Sequence, residues 1–267
     1  SIVAQTYKGN PLYYLDPGSN RYRRVSPQVK PELVDSPPSA TYIPSLKTMS
    51  HKTMSKVIVD AVGGDIDKSL SLATYAHEGM YRKQLRFGTK DPYIVHPMRN
   101  ALRATVWTRG HWDEDKVRNL AHACLLHDVV EDAPDRVQDF YDDRADPVDI
   151  LGERFNYDVA DSVAAVTNPE YPDGISKEGK RQAYLEHIKE ALPGNDMAIL
   201  VKCSDLWDNA GSACLSEDQG MRRHLVKKYA PVVAVMMDMA DTLEPKELAR
   251  DVRQRMKILH DKLQRAQ

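Results

Sequence analysis

From Asp65 to the end of the chain, apolar side chains recur at helical spacing and show no strand alternation. A stripe at i, i+3, i+4 and i+7 gives a helix one apolar face, and successive helices of this kind must bury those faces on one another. The expected class is therefore all-α. Val117, Leu120, Ala121, Cys124 and Leu125 form one such stripe, with Asp113 placed to cap it. Leu70, Leu72, Ala73 and Ala76 follow Asp65 in the same way. Further helices are predicted near Tyr157 to Val166 and near Lys177 to Ala191. Gly194 then breaks the chain, and Met197, Ala198, Leu200, Val201 and Cys203 lead a buried helix. From about Asp218 to Arg265 the pattern fits one or two long helices, with kinks or boundaries at Pro231 and Pro245.

Residues 1–62 read differently. Seven of the sixteen prolines fall there, and proline blocks both regular helix and central strand. Tyr7, Tyr13, Tyr14, Tyr22 and Tyr42 argue against a purely solvated tail. The expectation is an extended, mostly irregular N-terminal arm over 1–62, with a short hairpin near Pro11 to Val25. A helical body over 63–267 follows it. The arm would pack on that body or on a neighbouring subunit, so a homo-oligomer fits this reading.

The chemistry concentrates in LLHDVVED, residues 125–132. A helix sets His127 one turn from Glu131 and Asp128 one turn from Asp132. An apolar helix that ends in four ionisable groups is costly unless a cation or partners balance the charge. Two more apolar segments end in the same kind of group. PYIVHP places His96 between an apolar strip and a proline, and ILVKCSDLWDN places Asp205 after a buried run. Two His and two Asp make a mixed nitrogen and oxygen donor set suited to Mn²⁺, Fe²⁺, Zn²⁺ or Mg²⁺, not a thiolate site. The three cysteines form no CxxC pair, and with an odd count a reducing, cytoplasmic setting is expected. A formal net charge of −2 gives no bulk attraction to nucleic acid or an acidic membrane. No apolar run approaches the roughly 20 residues of a membrane span.

The segments AHEGMYRK, PYIVHP, HDVVED and VKCSDLWDN, in that order, resemble the HD hydrolase domain of RelA/SpoT homologues, most closely the stand-alone small alarmone hydrolases. GERFNYDVADSVAAVTNP resembles that family's helix ending in a Val-Thr pair, and the likeness covers about residues 65–212. The resemblance implies an HD-type helical phosphohydrolase fold. It implies that His96, His127, Asp128 and Asp205 hold a divalent metal, with Mn²⁺ the expected ion. Glu131 and Asp132 would position and activate the attacking water. Arg82, Lys83, Asn209 and Ser212 would contact a phosphorylated nucleotide. The implied reaction removes the 3′-pyrophosphate of (p)ppGpp to give GDP or GTP and pyrophosphate, the chemistry of the stringent response.

Met80 stands where the family usually has Gln, and Leu206 where it usually has Arg. The segment QLRFGTKD is also longer than is common. These departures leave the metal set intact and bear on the substrate. A second reading is therefore hydrolysis of another nucleotide, such as the 2′-phosphate of NADPH or a (deoxy)nucleotide. A third, of another class, is a catalytically silent nucleotide-binding or sensing protein. Arg86 and Lys90 extend the basic run before His96. His122 reads as structural or as a support to the site, Asp208 as surface or support, and Trp207 as packing or a pocket wall.

Overall fold

Helices carry the chain from residue 51 onward in this computed structural model, which describes residues 6–7, 10–16, 21–25, 33–34, 51–83, 91–214, 216 and 218–267. Arg86 and Lys90 lie outside the described residues. Near the N-terminus, β1 (Thr6–Tyr7), β2 (Asn10–Asp16), β3 (Arg21–Val25) and β4 (Leu33–Val34) form an antiparallel meander in chain order. The expected hairpin is β2–β3, with Leu12 opposite Val25 and Asp16 opposite Arg21.

The extended reading of 1–62 is corrected at its end. Residues His51–Val62 form helix α1, with Met54, Val57, Ile58, Ala61 and Val62 buried. Those five apolar positions have helical spacing, and burying them outweighs the lack of an acidic first turn. The prolines upstream hid the pattern.

The helices that position the site begin and end for local reasons. In α2 (Ile66–Ala76), Asp65 occupies the cap position but makes no capping bond. Its Oδ1 lies 3.0 Å from His122 Nε2 instead. Helix α3 (Val95–Thr108) is buried along its whole length. Pro97 falls in its first turn, where a missing N–H costs no helical bond. Asp113 caps α4 (Glu114–Leu126) by accepting from the Lys116 N–H at 2.8 Å. The helix stops at Leu126, and one short turn, α5 (Val129–Asp132), resumes after His127 and Asp128. Two proline-led helices follow, α6 (Pro134–Tyr141) and α7 (Pro147–Arg154). Then come α8 (Tyr157–Val166), capped by Asn156, and α9 (Lys177–Ala191), capped by Ser176. Gly194 turns the chain at φ 82° into α10 (Asp196–Ala213). Pro231 lies inside α11 (Gln219–Ala240), while Pro245 marks the start of α12 (Lys246–Arg265).

This body is all-α. Beyond residue 62 the described residues hold only the isolated bridges Tyr81–Pro92 and Arg109–Trp112. Helix α10 is central: it packs on α3, α4, α8, α11 and α12, and α3 packs in turn on α1 and α4. The three helices α3, α4 and α10 thus meet one another in the interior, with His96 in α3, His127 and Asp128 just past the end of α4, and Asp205 in α10.

Candidate metal centre

His96 is the second residue of α3, His127 follows the last residue of α4, and Asp205 lies at the middle of α10. All three are buried, and one ligand atom from each falls within 4.8 Å of the other two. Asp205 Oδ1 is 3.0 Å from His96 Nε2 and 3.6 Å from His127 Nε2. Asp128 stands beside this group, with its Oδ2 3.0 Å from His127 Nε2 and 3.8 Å from His96 Nε2. The break between α4 and α5 is what turns the adjacent His127 and Asp128 toward the same point.

Each imidazole is fixed by its other nitrogen. His127 Nδ1 donates to the Cys124 carbonyl at 2.7 Å, and His96 Nδ1 donates to Asp208 Oδ2 at 2.7 Å. Both Nε2 lone pairs therefore face the carboxylates. His127 Nε2 is buried with no hydrogen-bond partner, because Asp128 is near but misaligned. An orphaned imidazole nitrogen beside two carboxylates matches what a metal needs from its donors. Electrostatics agrees. Burial opposes a charge on His127, yet the Asp128 and Asp205 carboxylates outweigh it and hold its pKa well above the ordinary value. Burial likewise opposes the Asp205 carboxylate, but Lys202 and the two imidazoles hold its pKa well below the usual range. The interior thus favours a positive charge between these groups, whether a proton or a metal ion.

The carboxylates are also oriented. Asp205 Oδ2 accepts from Lys202 Nζ at 3.0 Å, and its Oδ1 accepts from Asn209 Nδ2 at 2.7 Å. Asp128 Oδ2 accepts from the Tyr93 hydroxyl at 2.5 Å. Burial and the Asp128 charge push the Tyr93 hydroxyl far up, so it remains a donor.

The remaining residues read from the sequence lie at varying distance from this group. Glu131 turns toward Asn168, whose backbone N–H it accepts at 3.0 Å. Glu131 is exposed, yet the partial burial of its carboxyl raises it above the ordinary value against that hydrogen bond, and Asp128 adds to the rise. Asp132 Oδ2 lies 3.6 Å from His77 Nε2, a second buried nitrogen without a hydrogen-bond partner. Arg82 Nη2 donates to Asn209 Oδ1 at 2.6 Å, and its guanidinium lies 5.5 Å from the centre of the Tyr93 ring. Arg82 and Asn209 therefore stand over the ligand group. Lys83 is exposed, at the edge of the segment 84–90 that lies outside the described residues. Ser212 is buried on α10, about two turns past Asp205.

Sequence reasoning did not assign Tyr93, Lys202, Arg99 or Arg103 to this region. The available signal was spacing: Tyr93 precedes His96 by three residues, Arg99 follows it by three, and Lys202 precedes Asp205 by three. Asp208 is fully buried and bonded to His96, so it is a support rather than a surface residue. His122 is structural, held between Ser69 Oγ at 2.7 Å and Asp65. Trp207 packs edge-on against Trp107 at 6.1 Å.

No family model matches the chain. It is 26% identical over 167 residues to a guanosine-3′,5′-bis(diphosphate) 3′-pyrophosphohydrolase of Haemophilus influenzae, covering 60% of this chain and 21% of that protein. It is 28% identical over 134 residues to a probable guanosine-3′,5′-bis(diphosphate) 3′-pyrophosphohydrolase of Mycoplasma pneumoniae, covering 46% of this chain and 15% of that protein. The chain thus spans about a fifth or less of the length of these curated relatives. Both likenesses support a related hydrolase family. No helix among the described residues is long and apolar enough to cross a membrane.

Proposed function

We propose that the chain is an HD-type, metal-dependent phosphohydrolase that removes the 3′-pyrophosphate of (p)ppGpp, giving GDP or GTP and pyrophosphate. The observation that carries this reading is the buried His96, His127 and Asp205 group with Asp128 beside it. The names of the two relatives support the choice of substrate.

His96, His127, Asp128 and Asp205 hold one divalent ion, for which Mn²⁺ is the first choice. Such an ion lowers the pKa of a water toward neutrality and offsets charge on phosphoryl oxygens. In the hydrolysis, water oxygen attacks the phosphorus bonded to the ribose 3′ oxygen, and that P–O bond breaks. Glu131, with its raised carboxyl, or Asp132 takes the water proton. That carboxyl returns the proton to the departing 3′ oxygen, which becomes the product hydroxyl, while the water oxygen stays on the pyrophosphate. Arg82 and Lys83 bind the charged nucleotide, with Arg82 held in place by Asn209. Ser212 adds a hydroxyl contact on the same helix as Asp205. The nucleotide is the partner, and no contact with nucleic acid or membrane is part of this reading.

Release of pyrophosphate from ppGpp, read in Mn²⁺ and in excess chelator beside a nucleotide panel, tests it. Pyrophosphate from ppGpp only with Mn²⁺ is the expected result. Metal-dependent turnover of another nucleotide, with ppGpp inert, would keep the site and replace the substrate; Met80 and Leu206 are where such a shift would originate. Tight nucleotide binding without any product would favour a sensing protein.

A further inference from the structure

We infer that Asp208 is the positioning residue for His96, and that Arg99 and Arg103 balance its buried charge. The inference rests on the metal-centre reading above and extends it to residues outside the ligand set. Asp208 follows Asp205 by three residues on α10, and Arg99 and Arg103 follow His96 by three and seven on α3. Residues at these spacings share a helix face, so the interface that joins the ligands also joins these three side chains.

The contacts are complete and dry. Asp208 is 0% exposed. Its Oδ2 accepts from His96 Nδ1 at 2.7 Å and from Arg99 Nη2 at 2.8 Å. Its Oδ1 accepts from Arg99 Nε at 2.7 Å and Arg103 Nη2 at 3.3 Å. Arg82 Nη2 stands 3.8 Å from Oδ2. Arg103 is held in turn by Asn100 Oδ1 and the Ser204 carbonyl, both at 3.0 Å. The two-pronged Arg99 contact balances the buried carboxylate charge, a part that Arg103 shares.

A carboxylate on Nδ1 does two things to a metal-binding imidazole. It selects the tautomer whose Nε2 lone pair faces the ion, and it makes that lone pair more basic. The competing account is a structural ion pair that merely happens to touch His96. The two differ in what Arg99 should do. In a positioning arrangement, loss of Arg99 weakens the fold but leaves the Asp208–His96 bond.

Calorimetric titration of Mn²⁺, with the visible spectrum of the Co²⁺-loaded protein, separates them across wild type, Asp208→Asn and Arg99→Gln. The expected result is that Asp208→Asn weakens Mn²⁺ about 10–100-fold and alters the Co²⁺ bands, while Arg99→Gln melts lower yet stays within about threefold of wild type. Should Asp208→Asn fail to fold through its unpaired arginines, the neutral pair Arg99→Gln/Asp208→Asn replaces it, with the same loss of affinity expected. Wild-type affinity in the Asp208 variants, or an equal loss in Arg99→Gln, would overturn the inference. A wild-type protein that binds no divalent ion would overturn the metal-centre reading beneath it as well, so the two failures are distinguishable.

Discussion

The division of labour among neighbouring acids can be tested one side chain at a time. Asp128 touches His127 and sits against His96, while Glu131, one turn on, turns to Asn168. Asp128→Ala should therefore abolish metal binding and turnover and leave the far-ultraviolet helical signal largely intact; full activity would remove Asp128 from the site. Glu131→Gln should keep the metal and slow turnover by about 10²–10⁴-fold, the usual share of a general base. Its pH dependence has a definite sign. The Glu131 carboxyl is raised above its ordinary 4.5, so the basic form is lost as pH falls through a value higher than that. The acid limb of kcat/KM should lie above 4.5 and disappear in Glu131→Gln. A limb that persists in the variant would assign the proton to Asp132 or another group. That His127, Asp128 and Asp205 lie together was legible in the sequence, because each ends or interrupts an apolar run. Asp208 was not, since a second acid three residues on reads equally well as a solvated face until α3 is placed against it.

At the scale of elements, helices with open apolar stripes and caps were legible, and those with masked stripes were not. Helices α8 and α9 fall at their predicted positions, and the structure adds Asn156 and Ser176 as the caps that fix their starts. Helix α3 is the opposite case. Arg99, Asn100 and Arg103 interrupt its stripe, and only their pairing with Asp208 and Ser204 lets it be buried all round. Helix α1 was obscured by the proline-rich stretch before it. Two substitutions in α1 check its place in the body. Ile58 is 0% exposed and Val59 is 40% exposed, one residue apart. In urea unfolding, Ile58→Ala should cost about 2–5 kcal/mol and Val59→Ala about 0.5 kcal/mol or less. Equal small effects would return residues 51–62 to the arm.

For the whole molecule, the centre ties three separate helices together, so metal occupancy and folding should be linked. The group draws on the start of α3, the α4–α5 break and the middle of α10, residues far apart in the chain. An unfolded chain cannot hold them in one place, so an ion held there would bind the folded state alone and stabilise it by mass action. At a free concentration about 100 times the Kd, this amounts to about 2.7 kcal/mol. For a chain of this size each kcal/mol moves the midpoint by about 2–4 °C, so Mn²⁺ should raise Tm by roughly 5–10 °C over the chelated protein. Asp128→Ala should melt at one temperature in both conditions, because it has lost the site but kept the helices. A wild-type Tm that ignores both Mn²⁺ and chelator would mean that the charges already close on themselves. In that case His127, held positive by Asp128 and Asp205, would be the permanent cation of a structural cluster rather than a displaceable stand-in for a metal.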